Sequence, residues 1–336
     1  MLSGVLIVTI IVVILALCFD FINGFHDTAN AIATSVSTRV LTPREAILMS
    51  AVLNFVGAFL SSEVAKTIGS GIVHPDKVIP EVVIAALIGA IIWNLITWYF
   101  GIPSSSSHAL IGGLIGSAVV YNSMSFSVIN WFDLWDKVVL WLILSPIIGF
   151  IAGYIIMIAL QWILRKTRPA TVTKIFSKAQ IFSAAAMALN HGMNDAQKSM
   201  GIITMSLVSA GFLTKFDIPI WVKIGCALAM ALGTSIGGWK IIKTMGQNMA
   251  KLAPVNGFAA ETGAAAVIFT ASLMKAPVST THIISTSIMG VGASKRLSSV
   301  KWTVAKNIVW AWIITIPITA ILSGITIFLL KSIFKI

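Results

Sequence analysis

The sequence predicts an all-α, polytopic membrane protein with two inverted-topology repeats, in which broken or re-entrant helices meet at the bilayer midplane. Two observations predict this fold class. First, 57% of the 336 residues are hydrophobic and only 10% are charged, whereas about a quarter of the residues of a soluble globular protein are charged. Second, apolar runs long enough to span a bilayer recur along the whole chain, and two polar motifs occur once in each half.

The first polar motif interrupts an apolar run at residues 2–38, which is longer than the roughly 20 residues that one span needs. It reads Asn-Gly-Phe-His-Asp-Thr-Ala-Asn-Ala over residues 23–31, and residues 190–198 read Asn-His-Gly-Met-Asn-Asp-Ala-Gln-Lys. A shift of 168 positions places Asp27 on Asp195. Because each motif carries a glycine near the middle of a long run, we expect a broken or re-entrant helix at both places.

The remaining segments of the first half follow from apolar runs and from helix start signals. Proline at position 43 favours the first turn of a helix. Pro103 ends an apolar span, and the four serines and the histidine after it begin the next segment. The predicted segments are a helix at 45–62, a polar connection at 63–81, a span at 82–100, a Gly-rich segment at 109–121 and a long span at 138–163.

The densest basic cluster of the chain separates the two halves. Five Lys or Arg residues lie between positions 165 and 178, and the positive-inside bias places this connection in the cytoplasm. An odd number of crossings before it makes the second half run in the opposite direction. We therefore expect a first transmembrane repeat at residues 1–164, a basic cytoplasmic connection at 165–178 and a second, inverted repeat at 179–336.

The second half repeats the order of the first. A shift of 174 positions sets the block from Pro103 to His108 onto the block from Pro277 to His282. Two motifs in the same order at nearly the same spacing indicate a duplication. The predicted segments are a second interrupted run at 179–213, a span at 219–238, an amphipathic stretch at 240–253, an apolar segment at 257–275, a short segment ending at 292 and a last span at about 307–330.

Carboxylates inside membrane segments indicate a cation site. An Asp near the centre of a membrane helix costs about 2.5–3.5 kcal/mol on insertion scales and needs a compensating partner. Carboxylate and amide oxygens, with carbonyls freed at a helix break, suit a hard cation such as sodium. A protonated carboxyl, a capped half-helix and pairing with a neighbour such as Lys198 are the alternatives. The predicted sodium ligands are Asn23, Asp27, Asn30, Asn190, Asn194 and Asp195.

The two proline–hydroxyl blocks favour an anion. Free N–H groups and the positive end of the helix dipole attract an oxyanion, and the hydroxyls donate further hydrogen bonds. One block alone is more often an ordinary helix cap, but inversion makes two helix starts point at one another and form one pocket. The predicted donors to a tetrahedral oxyanion are Thr28, Ser105, Ser106, Ser107, Gln197, Ser279, Thr280 and Thr281.

Several function classes are disfavoured by the sequence. The net charge of +12 does not indicate nucleic-acid binding, because Lys and Arg lie between apolar runs, where lipid headgroups and topology explain them. Ser107 and His108 are adjacent on a helix and do not face each other, which argues against an intramembrane Ser/His hydrolase. An anion channel stays open as a rival to a cation-coupled anion symporter. For Glu63 and Glu261, which lie beside apolar segments in opposite halves, a solvated helix end is favoured over a role in a cation path.

The duplicated motif resembles the signature of the inorganic phosphate transporter (PiT) family, in which a Gly-x-Asn-Asp-like sequence occurs twice. Here the two copies lie at residues 24–31 and 192–199, and the likeness spans nearly the full chain. The first copy has His26 where the family usually has Asn. The resemblance carries site roles onto Asp27, Asp195, Gln197 and the two hydroxyl blocks.

The resemblance also implies a function. It implies inward symport of inorganic phosphate driven by sodium, or by protons in other members, with a sulfate-carrying branch. The expected protein is a transporter in the cell membrane and not an enzyme, with no cofactor and with sodium as a co-transported ligand. Its expected partners are phosphate, sodium and the lipid bilayer. A homodimer is compatible with a fold that has a static and a mobile part, although no residue pattern marks an interface.

Overall fold

The backbone is almost entirely helical in a computed structural model of the chain, which describes residues 2–71, 73 and 78–334. Within those residues the α-helices are α1 (Leu2–Ser37), α2 (Pro43–Gly57), α3 (Glu63–Gly71), α4 (Pro80–Phe100), α5 (Ser106–Tyr121), α6 (Trp131–Asp133), α7 (Leu140–Leu164), α8 (Pro169–Ser209), α9 (Ile220–Ile236), α10 (Trp239–Lys243), α11 (Pro254–Leu273), α12 (Thr280–Lys295) and α13 (Trp302–Phe334). Short π-helical turns join α6 to α7 and follow α10.

The apolar helices confirm a multi-pass membrane protein. Among the described residues, four stretches are long and apolar enough to cross a membrane, namely Gly4–Ser37, Pro80–Phe100, Trp131–Leu164 and Trp302–Ile333. A fifth is formed by α9 and the helical stretch Trp239–Asn248, which are bent by 65° at the break between them. The predicted all-α membrane class, with a broken helix, is therefore confirmed.

The position predicted for the helix breaks was wrong. Helix α1 continues for 36 residues and α8 for 41 residues, so both polar motifs lie inside unbroken helices. Their glycines allow close helix packing instead. A Cβ atom on Gly24 would lie 2.4 Å from the carbonyl oxygen of Met230 in α9, and one on Gly192 would lie 2.3 Å from that of Asn54 in α2. A glycine inside a helix is tolerated where packing requires it.

Two connections are more helical than the sequence predicts. Helix α3 lies in the predicted polar connection at 63–81, because its short amphipathic sequence finds partners on α8. Helix α8 begins at Pro169, inside the predicted basic connection at 165–178, where proline occupies the first turn. Polar composition favours a connection in each case, but tertiary packing and a helix start signal override it.

Helices from the two halves of the chain exchange partners in the packing. Helix α1 packs on α9 and α8 packs on α2, while α5 packs on α13 and α12 packs on α7. One apolar core surrounds α4 and α5, and a second surrounds α11 and α12. Helices α1 and α8 each contribute to both cores, since Phe19 and Ile32 of α1 belong to different ones. The polar motifs therefore lie where the two cores meet.

Candidate functional site

The starts of α5 and α12 are built alike and lie together. The hydroxyl of Ser105 accepts a hydrogen bond from the amide of His108 at 3.3 Å, and the hydroxyl of Ser279 accepts one from the amide of His282 at 3.3 Å. The rings of the two histidines have centroids 4.7 Å apart. The first amides of both helices, which have no acceptor within a helix, therefore face one buried region.

The carboxylate of Asp27 in α1 lies beside the start of α5. Ser106 donates to its Oδ2 at 3.4 Å, and the Nδ1 atom of His26 lies 2.6 Å from its Oδ1. The other ring nitrogen of His26 lies 2.9 Å from the hydroxyl of Thr97 in α4. These contacts hold the Asp27 carboxylate beside the N-terminus of α5, where the helix dipole favours a negative charge.

The carboxylate of Asp195 in α8 lies beside the start of α12. Lys198 donates to its Oδ1 at 2.5 Å and Thr280 donates to its Oδ2 at 3.3 Å. The Nε2 atom of His191 lies 3.4 Å from the same Oδ2. Asn30 of α1 donates to Thr280 at 3.2 Å, and also to the next hydroxyl at 2.9 Å, so the first motif reaches the helix start of the second half.

The two carboxylates converge on one buried cluster. Ligand atoms of Asp27, His191 and Asp195 all lie within 4.8 Å of one another. Asp27 is 2% exposed, and the other two side chains are fully buried. Two like charges at this distance in a buried place repel unless a cation, a proton or a bound ligand compensates them. The cluster is therefore suited to hold a cation next to hydroxyls and amides that suit an anion.

Thr28 and Gln197, both predicted to donate to the anion, turn away from this cluster. Thr28 donates to the carbonyl of Gly24 in its own helix at 2.5 Å and lies against α9. Gln197 donates to the carbonyl of Met193 at 2.6 Å, while its oxygen accepts from the first amides of α3 at 2.8 and 3.1 Å. As successive helix residues point about 100° apart, neighbours of the two aspartates face other helices.

The four predicted amide ligands have different surroundings. Asn30 lies at the site. Asn23 is fully buried and lies near enough to interact with the Asp195 carboxylate, although its amide makes no hydrogen bond of standard geometry among the described residues. Asn194 instead donates to Ser272 of α11 at 3.1 Å. Asn190 is half-buried and its Nδ2 donates to the carbonyl of Ala186 in its own helix at 2.9 Å, so its role as a cation ligand stays a prediction.

The hydroxyls of the two proline–hydroxyl blocks have different hydrogen-bond partners. Ser106 and Thr280 contact the carboxylates, and Thr281 accepts from Asn30. Ser107 donates to the carbonyl of Val278 at 3.4 Å and thereby joins the two helix starts. The two capping serines are occupied by their own helix amides. The hydroxyl-lined region that sequence patterns predict is therefore assembled, although only part of it faces the carboxylates.

Sequence reasoning missed Asp20, and it treated Lys198 only as a possible pairing partner of Asp195. His191 and Lys198 lie four residues before and three residues after Asp195, a spacing that places side chains on one helix face. Asp20, seven residues before Asp27, is fully buried and accepts a hydrogen bond from Ser199 at 2.6 Å. Helical periodicity applied to each aspartate would have found all three.

The two glutamates have different surroundings. Glu63 at the start of α3 is partly exposed and contacts Lys66 at 2.8 Å and Lys275 at 2.9 Å, as a solvated helix end should. Glu261 is fully buried and accepts hydrogen bonds from Thr34, Ser183 and, at 3.1 Å, Gln180. The interpretation of Glu261 as a solvated helix end was therefore wrong.

Comparison with known proteins places this architecture among phosphate transporters. The model of the phosphate transporter family matches residues 23–323. A Bacillus subtilis protein described as a probable low-affinity inorganic phosphate transporter is 53% identical over 98% of this chain and 99% of its own length. A Rhizobium meliloti protein of the same description is 49% identical over 93% of both chains.

A solved structure agrees with the sequence comparison. The structure described as the sodium-dependent phosphate transporter superposes with a TM-score of 0.86 at 26% identity, over 97% of this chain and 99% of its own. With family and fold in agreement along nearly the whole length, this chain belongs to the phosphate transporter family, as a multi-pass cell-membrane protein that is a transporter and not an enzyme.

Proposed function

We propose that this protein imports inorganic phosphate by symport with sodium, through a closed site between the starts of α5 and α12. One observation carries the proposal. The ligand atoms of Asp27, His191 and Asp195 lie within 4.8 Å of one another, and hydroxyls at the two helix starts donate to both carboxylates. Cation-binding and anion-binding groups are thus adjacent.

The helix starts supply the donors for phosphate. Each of the two helices leaves its first amides without an intrahelical acceptor, and the positive ends of both dipoles point into the same region. Four hydroxyls, at Ser106, Ser107, Thr280 and Thr281, surround it. A tetrahedral oxyanion needs donors in several directions, and two opposed helix starts provide them without an arginine.

Sodium bound at the carboxylates makes the site accept the anion. Lys198 balances Asp195, so without a bound cation the negative charge of Asp27 would repel phosphate in a region of low dielectric constant. A sodium ion there lowers that repulsion, and phosphate in turn stabilises the bound sodium, because coupling between two ligands is reciprocal. The sodium dependence stated for the structural neighbour supports this choice of cation.

Transport needs access to this site from both sides of the membrane. The side chains that line it are at most 3% exposed, so the described conformation is closed. We infer that residues 1–164 and 179–336 are the inverted repeats whose relative motion opens it, because their helices exchange equivalent partners. The homodimer stays a prediction.

Uptake into proteoliposomes tests the proposed function. Purified protein is reconstituted, and labelled phosphate uptake is followed under an imposed inward sodium gradient, an imposed pH gradient, or neither. Accumulation driven by the sodium gradient, and competed weakly by sulfate, is expected. Uptake driven only by the pH gradient would assign the coupling to protons. Preferential competition by sulfate would change the substrate, and uptake that never exceeds equilibrium would indicate a channel.

A further inference from the structure

Among the positions at which the two copies of the polar motif differ, one pairs a neutral residue with a lysine. The shift of 168 positions that aligns the aspartates also places Lys198 on Asn30. Asn30 is a neutral donor and binds the hydroxyls of Thr280 and Thr281 across the two halves. Lys198 is a cation and binds Asp195 one turn earlier in its own helix at 2.5 Å. The duplicated site is therefore asymmetric in charge.

Lys198 is enclosed on every side. Its side chain and that of Asp195 are both 0% exposed, and Lys198 is among the largest fully buried side chains of the described residues. Other titratable groups face the pair: His191 from the same helix, Asp20 and Asp27 from α1, and His108 from the start of α5. An ammonium in such a place persists only when a carboxylate balances it.

We propose that the ammonium of Lys198 fills the place beside Asp195 that a transported monovalent cation would otherwise occupy. An ammonium and a sodium ion carry the same charge, and the contact at Oδ1 of Asp195 is already taken by the lysine. Oδ2 remains directed at Thr280 and at His191. The protein then binds one sodium ion fewer per phosphate than it would with a neutral residue at position 198.

Replacing a sodium ion by the lysine ammonium changes the driving force for uptake. A tethered cation neutralises the site but does not cross the membrane, so it contributes nothing to the transported charge. Each elementary charge that moves through 100 mV is worth about 2.3 kcal/mol, which is about 50-fold in a concentration ratio. Loss of the Lys198 ammonium should therefore raise the limiting phosphate accumulation by that factor at 100 mV with equal sodium on both sides, provided that sodium takes its place.

Sodium stoichiometry tests the inference, which rests on the proposed sodium symport. Radioactive sodium bound per chain is measured on purified protein at saturating phosphate. The Lys198→Met variant should bind one sodium ion more than the wild type. The exposed Lys178→Met substitution on the same helix is the matched control and should leave the number unchanged. The Lys198→Asn variant, which carries the neutral residue found at the matching position of the first motif, should also bind one sodium ion more.

The outcomes separate the inference from the proposed function. Equal sodium numbers in the wild type and in folded Lys198→Met would overturn the inference. If that variant does not fold, Lys198→Asn decides, and an unchanged sodium number in Lys198→Asn would overturn the inference. No sodium in the wild type but one in Lys198→Met would refute sodium symport while keeping the lysine as the cation substitute. No sodium in either would overturn both.

Discussion

Substitution of Gly24 by alanine tests how helix packing positions the site. The new Cβ would lie 2.4 Å from the carbonyl oxygen of Met230 and 2.9 Å from the amide of Thr234, both rigid backbone atoms of α9. Ordinary contact requires 3.4 Å or more, so the helices must separate by about 1 Å. Overpacking of this kind costs ~1–3 kcal/mol, and the higher helix propensity of alanine returns ~0.5–1 kcal/mol.

The separation also changes the geometry of the cation cluster. Asp27 lies one turn after Gly24, so moving α1 away from α9 displaces the carboxylate relative to its partners on α8. Misplacement of a positioned group by ~1 Å can lower a rate by about 100-fold. We therefore expect Gly24→Ala to lose about 10- to 100-fold of phosphate uptake and to unfold at a lower temperature. Gly192→Ala, which meets the backbone of Asn54 at 2.3 Å, should behave alike.

Gly225→Ala is the matched control for this experiment. Gly225 lies in α9, but a Cβ there meets only the side chain of Leu17, at 3.4 Å, which is ordinary contact. Uptake into proteoliposomes and thermal unfolding followed by tryptophan fluorescence are measured for all three variants. If Gly24→Ala and Gly192→Ala match the control in both assays, close backbone approach does not position the aspartates and the reasoning is refuted.

Three further predictions concern charged and capping residues. Asp195→Asn should abolish sodium-stimulated uptake. It should also cost ~3–5 kcal/mol of stability, because the buried Lys198 ammonium loses its carboxylate partner. Exposed Asp217→Asn is the control, and full uptake by Asp195→Asn would contradict the coupling role of Asp195. Gln197→Ala should lower stability by ~0.5–2 kcal/mol, because α3 loses the side chain that caps its first amides. A tenfold loss of phosphate affinity at unchanged stability would contradict this capping role. Contacts with two lysines lower the pKa of Glu63 from its usual 4.5 to about 2. The stabilisation that the Glu63 carboxylate gives to the fold is therefore complete above pH 4.5 and is lost as the pH falls towards 2. Glu63→Gln should therefore melt below the wild type at pH 7, and the difference should shrink as the pH falls from 5 to 3; a constant difference would contradict the assignment.

The architecture was largely predictable because its signals are local or repeated. Hydropathy gives the membrane class, and serine after Pro103 marks the start of α5 through a cap that needs only the next turn. The continuous course of α1 was not predictable in the same way. Glycine reads as a helix breaker when its neighbours in space are unknown, and only the closeness of α9 shows why Gly24 is there.

The site was predictable in its chemistry but not in its full membership. The two aspartates, Asn30 and the threonines of the second block come together, since they lie on duplicated and facing elements. Thr28 and Gln197 bond to other parts of the fold, because nearness along the chain does not give nearness in space. Lys198 was considered only as an ordinary pairing partner, since its complete burial cannot be read from composition.

The dependence of phosphate affinity on sodium tests the central claim most directly. Equilibrium binding of labelled phosphate to purified protein is measured at increasing sodium, with choline keeping the ionic strength constant. If the ions share one closed site, the Kd for phosphate should fall as sodium rises and then level off, and Asp27→Asn should remove that dependence. An identical Kd at zero and saturating sodium would contradict the account.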